Sequence, residues 1–282
     1  MSTATLTAQA PTPTRSRPAS LATLTGVELR KAVDTRSGRW LLIAAAVVAL
    51  GAAAIGAFVV PAEQRSYSTI SNIVFSFSVF LLPVVAILLV TSEWSQRSAM
   101  TTFTLTPRRG RALLAKIGAV AVLVVFGWAV NVGVAALATA IASRPATFGP
   151  QPVWGLGAGQ LLSSLLFLAL SVGLGFAFAL LFLNSPAAIV LNFVLPIAWA
   201  ILSAVVPWIR EHLQAWLDTG TSWALLLTNT PNAGGGQGGG PPAAVWSAPS
   251  GQQWAQIAVT AAVWIGLPGA IGAWRWLTRE VS

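Results

Sequence analysis

Six runs of about 20 mostly apolar residues divide this chain, and that feature leaves few folds open. A helix rises about 1.5 Å per residue, so such a run matches a hydrocarbon slab about 30 Å thick. The runs lie at 40–60, 70–90, 114–141, 161–183, 187–209 and 254–276. They are continuously apolar instead of alternating, which argues against a barrel, and inside lipid every backbone amide must be satisfied within its own segment. With 55% hydrophobic and 8% charged residues, a 282-residue chain could not coat a soluble globule. The expected fold class is therefore all-α, a polytopic membrane protein with six transmembrane helices.

The basic residues set an expected orientation, because positively charged loops stay on the cytoplasmic side. With the N-terminus inside, the inner segments collect thirteen Lys and Arg and the outer segments three. Both termini are then cytoplasmic, and the formal charge of +9 is first of all a topology signal. A nucleic-acid reading would need cations interleaved with stacking aromatics on a soluble face, and the sequence offers no such domain. The first apolar run begins some 40 residues in and is as long as a full span, so it is expected to act as the insertion signal, not as a cleavable leader. Cysteine is absent, which removes disulfides and thiolate metal sites.

One inner connection stands out. Residues 91–113 follow the second span, and five cations fall between Arg97 and Lys116. Pro107 divides this stretch: the half before it carries Trp94, Met100, Phe103 and Leu105, and the half after it starts the helix that becomes span three. Two readings remain open for these cations. They could simply obey the inside rule and meet lipid phosphates, at about 1 kcal/mol each, or they could form a docking surface.

Upstream of the first span, residues 21–39 read as a short interfacial helix. Leu21, Leu29, Ala32 and Val33 share about a third of its circumference, Leu24 and Val27 fall off that face, and Arg36, Arg39 and Trp40 would sit at the headgroups. Residues 1–20, containing "PTPTRSRPAS", read as a disordered leader, and 277–282 as a short cytoplasmic tail.

The interfacial segment "VELRKAVDTRSGRW", two spans, and then Glu93, Thr101, Thr102, Pro107, Arg108, Arg109 and Lys116 leading into span three resemble the membrane subunit of type-2 ATP-binding-cassette (ABC) transporters. In that family the loop between spans two and three forms the coupling helix that sits on the nucleotide-binding subunit. The resemblance implies that Glu93, Arg97, Arg108, Arg109 and Arg111 give register at the rim of a socket on the ATPase, while Met100, Phe103 and Leu105 fill it. It also implies export, a second permease subunit, identical or not, and residence in a bacterial plasma membrane. No G-x-x-x-x-G-K-[ST] loop occurs, and "GGGQGGG" at 234–240 lacks both the Lys and the flanking strand and helix. The chain is thus expected to bind no cofactor and to catalyse nothing; ATP and Mg would come through the partner subunit.

Two other classes compete. An ion-coupled carrier usually holds ionisable residues within the bilayer, and these spans hold none apart from Lys116 at the inner end of the third. A non-transporting anchor or assembly protein would be expected to carry a large soluble domain, whereas the only sizeable extramembrane segment is the outer loop 210–253. An intramembrane hydrolase is disfavoured, since the single histidine, His212, lies in that loop beside Glu211 as on a solvated helix face. Residues 209–227 are expected either to cap the exit, as in the resembled family, or to rest as a hairpin on the outer leaflet.

Of thirteen Trp, most fall at span ends as belt residues, among them Trp40, Trp94, Trp208, Trp274 and Trp276. Trp128, Trp199 and Trp264 fall near span centres, where they face lipid or a neighbouring helix, or line a substrate cavity. Asn131 and Asn192 are the costliest neutral groups in the spans and are expected to bond across helices. Pro83, Pro196 and Pro268 are expected to kink spans two, five and six.

Overall fold

A computed structural model describes residues 20–61, 65–95, 109–142, 154, 157–228 and 247–278, and every regular element among them is helical. Six helices are long and apolar enough to cross a membrane: Gly38–Val59, Tyr67–Ser92, Arg109–Ala142, Ala158–Phe182, Ser185–Val205 and Gly251–Thr278. This is an all-α polytopic membrane protein.

In chain order, α1 (Leu21–Asp34) is followed after Thr35 by α2 (Arg36–Ala54), which runs into a π-helical turn at Ile55–Val59. Spans two to five are α3 (Tyr67–Ser95), α4 (Arg109–Ala142), α5 (Ala158–Phe182) and α6 (Ser185–Val205). Three short helices come next: α7 (Pro207–His212), α8 (Gln214–Leu217) and α9 (Thr219–Thr228). Span six is α10 (Gly251–Ala261), a π-helical turn (Ala262–Gly266) and α11 (Leu267–Thr278).

Span five stops at Val205, short of the expected 209. Pro207 supplies no N–H and pushes the residue before it out of the α region, and Val206 is extended at φ −106°, ψ 102°. The other prolines are absorbed differently: helix continues through Pro83 in α3 and Pro196 in α6, while in span six a π-helical turn ends at Gly266, two residues before Pro268.

Helix α3 is the hub, packed against α2, α4, α5 and α6. Half of the most apolar stretch of spans two and four is buried, against 17% in spans five and six, so the latter pair present most of their surface outward. Small residues set the close approaches. A Cβ on Gly56 would lie 3.1 Å from Ile70, one on Gly175 3.1 Å from Pro83, and one on Gly272 2.6 Å from the backbone of Leu180. At Gly272, α11 lies nearly backbone to backbone against α5, an approach that any side chain would block. The four-residue pairs Ala52/Gly56 and Gly175/Ala179 therefore serve contacts within the chain.

The alternation of spans gathers α1, the end of α3, the start of α4 and the end of α11 at one end of the bundle, and α7 to α9 at the other. At the α1 end, Thr91 of α3 and Ser185 of α6 share a hydrogen bond of 2.6 Å, and Arg275 of α11 donates to Leu181 O of α5. There Leu183 takes the left-handed conformation, φ 52°, that ends α5.

Candidate functional site

The α1 end carries the concentration of charge. Arg30, Lys31, Arg36, Arg39, Arg109, Arg111, Lys116 and Arg275 lie there, whereas the cap end has Arg65 and Arg210. Of the residues expected to couple to an ATPase, Glu93 is in the last turns of α3, and Arg109 and Arg111 are half-buried in the first turn of α4. Arg97, Met100, Phe103, Leu105 and Arg108 lie outside the described residues.

Five residues into the helix from Arg111 comes the feature that organises this end. Lys116 is fully buried, with its ammonium 2.6 Å from Glu28 Oε2, 3.4 Å from Leu89 O and 5.8 Å from the centroid of the Trp276 ring. One side chain thus ties α4 to α1, α3 and α11. Glu28 is buried too, and its second oxygen accepts from Lys31 at 2.8 Å. A lone ammonium in an apolar bundle costs several kcal/mol, and removing the partner of a buried pair costs about 3–5 kcal/mol. The Trp276 face adds a weaker attraction.

On α1, Leu21 and Val33 of the expected interfacial stripe are exposed, Leu24, Thr25 and Leu29 are half-buried, and Glu28, outside that stripe, is the deepest-set of its described side chains. The physical reason is that a buried cation on α4 must be met by an anion. One sequence expectation is corrected: Trp276, expected at the headgroups as a belt residue, is 1% exposed and packs inside the bundle over Lys116. Glu28 was not singled out in the sequence. A signal for it existed: of seven acidic residues, only Glu28, Asp34, Glu93 and Glu280 lie in segments beside an inner span end, where they could meet Lys116.

The mid-span tryptophans do not gather in one place. Trp199 and Trp264 meet edge to face at 6.3 Å, and Trp264 Nε1 donates to Leu217 O of α8 at 2.7 Å. Trp128 instead donates to Ser164 of α5 at 2.9 Å and lines a small polar cavity of about 20 Å³ with Ser68, Ser71, Asn72 and Gln160. That cavity has hydroxyls and amides but no ionised group, and it holds about one water.

Of the two asparagines, Asn131 bonds across helices as expected, accepting from Ser78 of α3 at 3.0 Å and donating to Gly127 O at 2.8 Å. Asn192 is buried beside Gly175 and Pro83, but its Oδ1 has no hydrogen-bond partner, because the backbones it faces are α-helical and their N–H groups are already used.

At the cap end, α9 is drawn into the bundle against α5, with Trp223 and Leu226 buried in the same apolar cluster as Phe178 and Leu180. This burial ties the segment to the bundle itself. Thr260 of α10 donates toward Trp216 O at 2.8 Å and lies 3.1 Å from Ser222 Oγ, while Asp218 accepts from Gly220 N and from Thr221 at the start of α9. His212 is exposed, stacked on Trp208 with ring centroids 5.2 Å apart, and no cluster of three or more metal-ligating side chains occurs among the described residues.

No protein-family model and no curated protein matches this chain. Among the described residues the bundle pairs its buried Lys116 internally, with a basic rim at one end and, at the other, short helices held by hydrogen bonds that include the buried Asp218 carboxylate.

Proposed function

We propose that this chain is the membrane-spanning permease subunit of an ATP-driven exporter of the ABC type in a bacterial plasma membrane. It would work beside a second permease subunit and be driven by separate nucleotide-binding subunits that bring ATP and Mg. The observation that carries this reading is the charge inventory of the spans. Apart from Arg39, Arg109, Arg111 and Arg275 near helix ends, the described spans hold one ionisable cation, Lys116, and it is already paired. A carrier driven by protons or sodium needs a titratable or ion-liganding group that changes state in the membrane. With Lys116 paired to Glu28, the described spans offer no other ionised side chain away from their ends for such coupling, which supports a drive supplied from outside the bundle.

The entry point would be the segment from Glu93 to Arg111. Its flanks emerge from α3, the hub of the bundle, and from α4, which bears the charged pair, so a push on the loop would act on both at once. Arg109 and Arg111 would orient the docking partner, and Trp199 and Trp264, below the cap, are candidates for the wall of the substrate path.

The test is purification of the tagged chain from its native membrane in mild detergent, with assay of the eluate for ATP hydrolysis. The expected result is a co-purifying ATPase whose activity is lost from the eluate when R109E/R111E is used, at unchanged membrane yield of this chain. A native complex without ATPase activity, or full co-purification with R109E/R111E, would overturn the proposal.

A further inference from the structure

We propose that Glu28 is a positioning residue that clamps α1 to the transmembrane bundle, so that α1 moves with spans two, three and six as one body instead of floating as a surface anchor. The proposal stands on the geometry around Lys116 and does not depend on what the bundle carries.

Three observations converge. The deepest-set described side chain of α1 is an acid, and it meets an ammonium that is inaccessible to water, so detaching α1 would break a buried ion pair. Next to this pair the two helices touch: a Cβ built on Gly118 would lie 2.9 Å from Thr25 Oγ1 and 3.8 Å from Thr25 Cβ. Finally, α1 joins span one through a single non-helical residue. Thr35 is extended at φ −73°, ψ 139°; its N–H closes α1 on Lys31 O and its hydroxyl caps α2 at Gly38 N, both at 3.2 Å. A one-residue joint allows α1 to swing relative to span one, and the charged pair fixes where it points.

Without Lys116, Glu28 keeps Lys31 at 2.8 Å. K116M should therefore release α1 from a bundle that still folds.

The 3.8 Å separation at Thr25 and Gly118 lies at the mean Cβ–Cβ distance of a disulfide, and the chain has no cysteine of its own. In full-length protein in membranes, T25C/G118C should cross-link nearly completely under mild oxidation. Adding K116M or E28Q should reduce that yield sharply. In the cysteine-free chain, E28Q should raise the rate of tryptic cleavage after Arg30 and Lys31 by about a hundredfold, the change in open population expected when a buried pair is broken and reclosing is fast. If E28Q is degraded in the cell, K116M carries the same measurement, because Glu28 then still has Lys31 as its partner. Cross-linking and cleavage rates that K116M leaves at the wild-type level would overturn the clamp. One further arm rests on the transport reading: closing the T25C/G118C disulfide in the E28Q background should restore ATP-dependent efflux. Loss of efflux that the closed disulfide does not restore would overturn the positioning role, whereas absence of efflux from the wild-type protein would count against the transport reading alone.

Discussion

The two ends of this bundle are held together by different physics. At the α1 end a fully buried ammonium joins four helices and Gly272 lets α11 lie against the backbone of α5. At the cap end, span six is joined to α8 by neutral bonds, Thr260 to Trp216 O and Trp264 to Leu217 O, and the buried Asp218 carboxylate accepts from Gly220 N and Thr221 at the turn into α9. Neutral hydrogen bonds contribute about 1 kcal/mol net each and can be exchanged for water at little cost, whereas separating a buried ion pair costs several times more. Separating the α1 end is therefore expected to cost more than opening the contacts of span six with α8.

The comparison can be broken most severely at Gly272. G272V would place its side chain against the Leu180 backbone, which cannot yield as a side-chain tip can, and should cost about 3 kcal/mol or more. Folded yield by size-exclusion chromatography should collapse; a monodisperse wild-type profile would show that the α11–α5 approach is not needed.

A smaller effect is expected at the cap. T260V removes a buried hydroxyl that reaches both Trp216 O and Ser222, and should cost about 1–2 kcal/mol by leaving the carbonyl unpaired. Its signature should be faster proteolysis within α7 to α9, with the T25C/G118C cross-link at the other end unchanged. A loss of cross-linking in T260V would mean that the two ends are not separable.

The smallest effect sharpens the first. Gly133, in α4, has nothing within 4 Å of a Cβ position, so G133A should be neutral or stabilise by up to about 1 kcal/mol through helix propensity. Thermal denaturation followed by retained monomer would measure it; a marked destabilisation would place an unseen neighbour at that position, such as a second copy of the chain.

Much of this architecture was legible residue by residue. Six apolar runs gave six spans, with ends shifted by a few residues, because a bilayer imposes length and satisfaction of the backbone on each segment separately. The turn at Val206 could have been read from Pro207, whose effect on its predecessor is purely local. The inward face of α1 could not: its amphipathic pattern marked an interfacial stripe, and nothing in that pattern singled out Glu28 as the side chain turned to the bundle. Likewise Trp276, Trp223 and the separation of Trp128 from Trp199 and Trp264 depend on which helices become neighbours, and hydropathy carries no information about that.

By itself, then, the amino-acid sequence determined the class, the number of crossings and the clustering of basic residues toward one side. Each follows from transfer free energies of single segments between water and lipid, which add along the chain without reference to partners. Only the tertiary structure decided that Lys116 would be neutralised by Glu28, 88 residues away, and that Gly272 would meet Leu180. Pairing energies of that kind exist between helices, and they take a value only once the helices have been brought together.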